Sequence, residues 1–406
     1  MYGERIRQLR MANTMSQDDL VAKLLAYGLK LTKAALSKYE LNKSTPPPSL
    51  LIKLARIFGV RSVYFTLESN ISIEWIAFRA HSRLTEKVKD EVKSYAIDIA
   101  EKYAYLDEAL YPNRKPNFPA RRKVNNLDDA EETANALRQR WGLGRAPIES
   151  MTHVIEENGG ILVFYDKHDG NKFDGLSGLV NRKYPLMVVN VKMPDDRVRY
   201  DMAHELGHLL MDGNNLTPEK EENCAHRFAA SFLVPKESAL KELGQKRNNI
   251  SSEELGLLKG QYGMSMAAWM RRAKDCQIIS ESKYKTMNII MSRKGWKKTE
   301  PFKYSGDETP LHLKQMFLRA LSEKIITPDE ADKIFTGIPV SEQGRAAVAE
   351  TNQAAYKPSE FLKLPKNERN KLMAEAAEMA FNDYDKNINL TDFSTHIKDD
   401  IYEYRH

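Results

Sequence analysis

The pattern H-E-x-x-H at residues 204–208 constrains the fold of this chain more than any other feature. On a helix, residues four apart lie one above the other, so His204 and His208 would present their imidazoles on the same face. The acidic pair at 195–196 predicts an N-cap and a first turn, and Asp-Gly at 212–213 predicts the end of the helix. The apolar face of this helix comprises Val198, Met202, Leu206, Leu209 and Leu210.

Two imidazoles at this spacing are typical of a catalytic zinc site, where Zn²⁺ lowers the pKa of a bound water to about 7. Glu205 follows the first histidine and is turned toward the open side of such a metal. It can take a proton from the water, which then attacks a peptide carbonyl. The alternative interpretation is a buried helix that carries two hydrogen-bonded histidines. We expect Zn²⁺ as cofactor and Glu205 as general base.

Three short apolar runs precede this helix, at residues 160–165, 175–180 and 186–191, and they predict buried strands. A small sheet beside a metal-binding helix suits a peptidase, because an edge strand can hold an extended substrate by backbone hydrogen bonds. The predicted fold class is α+β and mostly helical, with a small sheet beside the H-E-x-x-H helix.

A catalytic zinc needs a third protein ligand and leaves one position for water. The chain turns at 212–215 and starts a new helix with Thr217 as N-cap and Pro218 in the first turn. Glu222 and His226 lie one turn apart on the same face of that helix. The residues alone leave open whether the carboxylate, the imidazole or both would complete the site.

Two segments resemble the ImmA/IrrE family of metallopeptidases: residues 197–208 (RVRYDMAHELGH) and residues 222–235 (ENCAHRFAASFLVP). The family pattern is an H-E-x-x-H helix, then E-x-x-x-x-x-F-A and a short apolar run that ends in Pro. The resemblance implies a zincin-like peptidase whose zinc ligands are His204, His208 and Glu222.

The same resemblance implies Glu205 as the general base. For His226 we expect a role beside the metal, as a hydrogen-bond partner of a ligand or as a donor to the tetrahedral oxyanion. Direct ligation by His226, in place of or together with Glu222, is the alternative. Glu221 is the poorer candidate ligand because it lies about 100° around the helix from Glu222.

Composition sets the broad class of the protein. A chain of 406 residues with 42% hydrophobic residues can bury cores in two or three domains. It has no apolar run near the roughly 18 residues that a membrane span needs, and its first 20 residues do not resemble a signal peptide. Two cysteines, Cys224 and Cys276, predict a reducing compartment rather than a disulfide framework. We expect a cytoplasmic protein.

The net charge of +6 lies entirely in the first 68 residues, which hold 11 Lys+Arg and 5 Asp+Glu, so the remainder of the chain is neutral in sum. A basic first domain attached to a neutral remainder is typical of a module that binds phosphates. The alternative is a solvated surface on a helical protein-binding domain.

Within this basic segment, S-Q-x-x-L at 16–20, T-K-x-x-L-S-x-Y-E at 32–40 and P-x-x-L-L-x-K-L-A at 47–55 resemble the lambda-repressor-like (XRE) helix-turn-helix. The resemblance implies that the third helix reads double-stranded operator DNA in the major groove. By that resemblance the residues that face the groove are Thr32, Lys33, Ala34, Ser37 and Lys38. The residues that reach phosphates are Gln17, Lys38 and Lys43.

An amphipathic helix is predicted within the region that connects the two domains. Its apolar positions follow a coiled-coil-like spacing of four and three residues. It can pack on its own peptidase domain or form a homodimer, which would suit a helix-turn-helix protein that binds two half-sites. The apolar positions are Val88, Val92, Tyr95, Ile99, Tyr103, Leu106 and Leu110.

The last part of the chain has a different character. From Ser359 onward it holds 7 Lys+Arg and 10 Asp+Glu, with a predicted helix that begins near L-P-x-x-E-R at 364–369. This tail is similar to the partner-binding segments of type II antitoxins, which wrap a small toxin. An ordinary acidic surface helix is the alternative.

The sequence therefore predicts five regions. They are a helix-turn-helix domain (1–68), connecting helices and a linker (69–120), a zinc metallopeptidase domain (121–295), a helical extension (296–355) and an acidic helical tail (356–406).

The expected function is a DNA-binding zinc metalloendopeptidase that cleaves a transcriptional repressor and so relieves repression under stress. The alternative is a DNA-binding regulator or antitoxin that binds a toxin through its tail and keeps the peptidase fold as a scaffold. The intact motif favours the first, because a degraded site would most readily lose Glu205.

Overall fold

Four short helices and a 3-10 turn form the N-terminal bundle of the computed structural model, which describes residues 2–67, 71–76, 85–167, 175–327 and 330–331. These residues belong to one compact unit, Met1–Ile338, and the second unit, Pro339–His406, lies outside the described residues. The helices are α1 (Tyr2–Ala12), α2 (Gln17–Ala26), α3 (Lys33–Glu40) and α4 (Pro48–Phe58), followed by the 3-10 turn η1 (Ser62–Thr66).

Local capping explains the helix boundaries of this bundle. Ser16 and Asp19 form a reciprocal capping box at the start of α2, and the Thr32 hydroxyl accepts a hydrogen bond from Ala35 at the start of α3. Helix α4 begins at a proline and ends at Gly59, whose φ of 66° is left-handed. The core of the bundle comprises Ile6, Leu20, Leu24, Leu36, Leu54 and Phe65, all fully buried.

Helix α5 (Glu86–Leu110) joins this bundle to the rest of the chain. It packs against α1 on one side and against strands of the sheet and the helix His312–Ser322 on others. The Arg5 guanidinium contacts the Glu101 carboxylate at 2.5 Å, and the Tyr64 hydroxyl donates to Asp98 at 2.9 Å. The sequence left open whether this helix packs on its own chain or forms a homodimer. In the structure its own chain covers much of the apolar face, including Val92.

The main sheet has four strands in the order β1-β4-β5-β3. Strands β3 and β5 are parallel, β4 runs antiparallel to β5, and β1 runs antiparallel to β4. The strands are β1 (Ile73–Trp75), β3 (Ile161–Tyr165), β4 (Gly175–Val180) and β5 (Tyr184–Asn190). A separate parallel pair joins β2 (Arg122–Lys123) to β6 (Met211–Asp212).

Helices surround the sheet and confirm the α+β, mostly helical class. They are α6 (Leu127–Arg140), α7 (Met151–Glu157), α8 (Asp195–Leu210), α9 (Pro218–Leu233), α10 (Lys236–Leu243), α11 (Ser252–Tyr262), α12 (Met266–Asp275), α13 (Glu281–Arg293) and α14 (His312–Ser322). Among the described residues, no helix combines the length and apolar character needed to cross a lipid bilayer.

Two boundaries differ from the sequence-based expectation. The N-cap of α8 is Pro194, so both Asp195 and Asp196 lie in the first turn, and the chain continues from Leu210 directly into a short strand. No helix starts in the segment 145–148, where the order Arg-Ala-Pro-Ile predicts one; α7 begins at Met151, because the Ser150 hydroxyl accepts the hydrogen bond from His153 that caps it. The predicted tail (356–406) and the end of the helical extension lie outside the described residues.

Residues 300–308, which we call the strap, bind the helices around α8 through two carboxylates. Glu300 accepts hydrogen bonds from the first backbone N–H groups of α12 and pairs with Lys259 at 2.8 Å. Glu308 does the same at the start of α7 and pairs with Arg199 of α8, whose side chain is 1% exposed. Each carboxylate thus accepts hydrogen bonds from a helix N-terminus, which carries a partial positive charge, and pairs with the buried cation of Lys259 or Arg199. Residues beyond the H-E-x-x-H region therefore help to fix α8.

Replacing Glu308 by Gln should strongly destabilise the protein, because it leaves the buried Arg199 guanidinium without a charged partner. We expect a loss of about 3 kcal/mol in the free energy of unfolding, measured by urea denaturation. The matched control is Glu323→Gln, which removes a pair with Arg319 whose side chains are 50% and 47% exposed. The control should cost less than about 1 kcal/mol. Equal losses in the two variants would contradict this role of the strap.

Candidate metal centre and DNA-binding surface

Helices α8 and α9 pack together and bring three predicted ligands to one point. The Nε2 atoms of His204 and His208 lie 3.1 Å apart. Glu222 on α9 places one carboxylate oxygen 3.3 Å from His204 Nε2 and the other 3.6 Å from His208 Nε2. The helices approach closely because Gly207 lacks a side chain: a Cβ there would lie 3.1 Å from the Phe228 ring.

The donor set fits a zinc ion. Tetrahedral coordination with bonds of about 2.1 Å places the donor atoms about 3.4 Å from one another. The three distances among His204, His208 and Glu222 lie on either side of that value. Two imidazole nitrogens and one carboxylate are also donors that catalytic zinc takes, with the fourth position left for water. The Glu222 side chain is 32% exposed, whereas that of His208 is 5% exposed, so the centre is open on the α9 side.

The charges around Glu222 keep it in the form that binds metal. Burial raises the pKa of this carboxyl, but the hydrogen bond with His204 and the charges of the neighbouring imidazoles outweigh burial and bring the pKa to about 2. The carboxylate is therefore ionised at neutral pH. Burial lowers the pKa of His204, but its hydrogen bond with Glu222 and the nearby carboxylates reverse the direction and raise it.

His226 lies beside this centre. Its ring centroid is 4.5 Å from that of His204, and its ligand atom lies within 4.8 Å of those of His204 and Glu222. The Tyr200 hydroxyl donates to the His226 backbone carbonyl at 3.1 Å and lies 3.4 Å from its Nδ1. Burial, together with the charges of His204 and Arg271, lowers the pKa of His226 to about 3, so the ring is neutral at pH 7.

Two triples of ligands are thus geometrically possible, and both contain His204 and Glu222. The triple with His208 has contacts of 3.1–3.6 Å, close to the spacing that zinc requires. In the triple with His226, the three ligand atoms are spread more widely and lie within 4.8 Å of one another. The shorter contacts favour His208 as ligand and place His226 at the margin of the site.

Glu205 is buried between α8 and the start of β4. A Cβ added to Gly175 would lie 2.7 Å from Glu205 Cγ and 2.8 Å from its Oε1. The backbone of β4 therefore lies against the Glu205 side chain at a point where only glycine fits. Sequence reasoning did not identify Gly175 as part of the site, because the contact joins residues 30 positions apart and leaves no local pattern.

Comparison with protein families gives two matches within this structure. The family described as the IrrE N-terminal-like domain, a peptidase family, matches residues 156–274, which include the H-E-x-x-H helix and Glu222. The helix-turn-helix family matches residues 6–65. The chain combines a helix-turn-helix domain with an IrrE-like peptidase domain. Comparison with curated proteins gave no match. The resemblances to the ImmA/IrrE peptidases and to the XRE helix-turn-helix are thereby confirmed at the level of the domains, whereas the resemblance of the tail to antitoxins stays a prediction.

In the helix-turn-helix domain, most residues predicted to face DNA lie on the exposed side of α3. Thr32, Lys33, Ala34 and Lys38 are exposed and Ser37 is half-buried, whereas Leu36 on the other side of the helix is fully buried. This is the placement that a groove-reading helix needs.

Several of these polar side chains already have partners within the domain. The Thr32 hydroxyl caps α3, and Lys33 pairs with Asp18 at 2.6 Å on the surface. Gln17 donates from Nε2 to the Glu40 carboxylate at 2.8 Å. Lys43 is exposed after the end of α3. Thr32 and Gln17 are therefore also structural, and the exposed lysines are the better candidates for contact with phosphates.

A buried ion pair that the sequence did not reveal sets the position of α3. Arg10 of α1 binds Glu40 through two hydrogen bonds of 2.6 and 2.8 Å, and both residues are buried. A bidentate pair of this kind fixes orientation as well as distance. It holds the end of α3 against α1 and leaves the first turns of α3 exposed.

Replacing Glu222 by Ala should remove bound zinc, because one of three protein ligands is lost. The affinity for zinc should fall by more than about 100-fold, beyond the loss usual for partners outside the metal shell. His208→Ala should have the same effect, whereas His226→Ala should retain stoichiometric zinc. Metal content after dialysis, measured by mass spectrometry, gives the result.

The control for this series is Glu221→Ala, the neighbouring carboxylate, which lies against the turn at Gly213. It should leave zinc unchanged. Zinc lost from His226→Ala and kept in His208→Ala would show that the second triple holds the metal.

Proposed function

We propose that this protein is a DNA-binding zinc metalloendopeptidase that cleaves a repressor protein and so relieves repression under stress. The observation that supports it most is the set of three donors within 3.1–3.6 Å of one another on two packed helices, with Glu205 beside them. The two family matches support a DNA-binding regulator with a peptidase-like domain.

The residues of the site have distinct roles in this proposal. His204, His208 and Glu222 hold Zn²⁺, which when bound activates a water and polarises the substrate carbonyl. Glu205 takes a proton from the attacking water and delivers it to the leaving amide nitrogen. His226, neutral at pH 7, donates a hydrogen bond to the oxyanion. The burial of Glu205, which is 1% exposed, excludes bulk water from that proton.

The helix-turn-helix domain would bring the peptidase to operator DNA, where the substrate repressor is bound. A homodimer would engage two half-sites at once. Such a protein acts in the cytoplasm, where chromosomal DNA and its repressors meet. The basic charge of the first 68 residues supports binding to DNA because it attracts phosphates independently of sequence.

Glu205→Gln should abolish cleavage and keep zinc. The change removes the proton acceptor but preserves the shape of the side chain against Gly175, so we expect a loss of about 10³-fold in the rate of hydrolysis. Cleavage of casein by the zinc-loaded full chain is the measurement, and Glu221→Gln is the control that should cleave normally. Cleavage by Glu205→Gln at the normal rate would remove Glu205 as the base.

The same variant separates the two candidate functions. A cellular phenotype that persists in Glu205→Gln would favour the alternative, a regulator or antitoxin in which the peptidase fold is a scaffold.

Lys38→Ala should weaken binding to DNA of any sequence, because Lys38 is exposed on α3 and proposed to contact a phosphate. The slope of log affinity against log salt concentration should fall by about 1, as expected for one lost phosphate contact. Fluorescence anisotropy with a 30-base-pair random duplex, at several salt concentrations, measures this. Arg56→Ala, an exposed charge on α4 to which no DNA contact is assigned, is the control. An equal decrease for both variants would show a general charge effect instead of a contact.

A further inference from the structure

Strand β4 is the strand of the sheet that meets the candidate active site. Its first residue, Gly175, lies against Glu205, and α8 packs across both β4 and β5. One edge of β4 pairs with β5 along its whole length, from Gly175 to Val180. The other edge, which lies on the side away from β5 and which we call the outer edge, is the edge that an extended peptide near Glu205 could join.

The chain itself occupies most of that outer edge. Strand β1 runs antiparallel to β4, with Ile73 opposite Val180 and Trp75 opposite Gly178. Flanking hydrogen bonds lengthen the pairing: Ile76 N–H donates to the Ser177 carbonyl at 2.9 Å, and Asn181 N–H donates to the Ser72 carbonyl at 2.8 Å. In this way β1 covers β4 from residue 177 to residue 181 and runs toward Gly175.

An extended peptide binds a sheet edge through the same backbone hydrogen bonds that β1 makes. Each backbone group of β4 can serve only one neighbouring strand. With β1 in place, residues 175–176 are the part of the outer edge that no described residue pairs with. Two residues offer too few hydrogen bonds to hold a peptide in register across the active site. A substrate and β1 therefore need the same groups.

We propose that β1 competes with the substrate for the outer edge of β4, and that an extended segment of the substrate binds there when β1 is released. This inference rests on the proposed peptidase function and adds a substrate surface and an internal competitor to it. The occupant is an extended peptide because backbone pairing, rather than a side-chain pocket, is what the edge offers.

The strand is well suited to release. It has three residues, with Glu74 exposed and Ile73 and Trp75 half-buried, whereas every residue of β5 is buried. Short, partly exposed edge strands open at a lower cost in free energy than fully buried central strands. β1 also follows η1 of the helix-turn-helix domain after six residues, and Tyr64 and Phe65 of that turn are buried in the domain core. The competitor is thus attached directly to the DNA-binding module.

A single substitution can release β1 without removing a buried side chain. Hydrogen-bonded positions alternate along an antiparallel pair, so the bonds at Ser72 and Ile76 place Glu74 at a hydrogen-bonded position. Glu74→Pro removes the backbone N–H of residue 74, which donates to β4, and Glu74→Ala keeps it. The two variants are therefore a matched pair. Hydrogen exchange at residues 175–180 should become faster in Glu74→Pro alone, which verifies the release.

The binding probe is an apolar octapeptide with a phosphinic group at its centre, which anchors on zinc and extends along the sheet in both directions. The protein is the full chain loaded with zinc. Glu74→Pro should bind the probe at least 10-fold more tightly than the unaltered protein, and Glu74→Ala should bind within 2-fold of it.

The reverse experiment locks β1 in place. Ile73 and Val180 lie opposite each other at a position without hydrogen bonds, where the Cα atoms are close enough for a disulfide. Oxidised Ile73→Cys/Val180→Cys should bind the probe at least 10-fold more weakly, and a phosphine reductant should restore binding. The two single-cysteine variants, which cannot form this disulfide, are the controls.

Equal binding of the probe by the unaltered protein, Glu74→Pro and Glu74→Ala, with exchange showing that β1 is released, would overturn the proposal. Failure of every zinc-loaded variant to bind the probe would overturn it as well. Binding that depends on β1, without any hydrolysis of casein, would support the inference and reject the endopeptidase function. The competition between β1 and substrate and the endopeptidase function can therefore be rejected independently of each other.

Discussion

The close contact between α8 and α9 is the constraint on which the candidate site depends. Two ligands come from α8 and the third from α9, so the donor atoms meet only when the two helices pack at a fixed distance. Gly207 against Phe228, and the fully buried Ala203 and Ala225, make that distance short. Because apolar packing sets the spacing of the candidate ligands, binding of a metal at this site would be coupled to folding of this core.

Ionic contacts at the first turns of α8 fix the helix along its length. Arg199 pairs with Glu308, and Asp196 pairs with Lys259, which in turn pairs with Glu300. Buried charges are costly unless they are paired and hydrogen-bonded, and here each carboxylate of the strap also meets a helix N-terminus. The helix that carries the histidines is therefore held by residues about 100 positions later in the chain as well as by its neighbours.

Local patterns predicted much of this structure. Apolar periodicity and capping residues predicted α8, the start of α9 and β4 to within a few residues. The helix-turn-helix resemblance indicated the N-terminal bundle, and a motif with a fixed spacing indicated His204 and His208. Pairings distant in sequence left no such pattern: Glu205 against Gly175, Arg10 with Glu40, and the strap are known only from the fold. Strand β1 has three residues, too few for alternation to be visible.

Two connections join the DNA-binding bundle to the peptidase sheet, and they differ in strength. Helix α5 packs on α1 and on β3 and β5, with buried residues on several faces and the Arg5–Glu101 pair at its contact with the bundle. Strand β1 is short, partly exposed and bound at an edge. Any displacement of the bundle, such as one caused by binding to DNA, would therefore break the weaker connection first. Because β1 pairs with the strand that lies against Glu205, its release would first expose the backbone edge of β4 beside the candidate site.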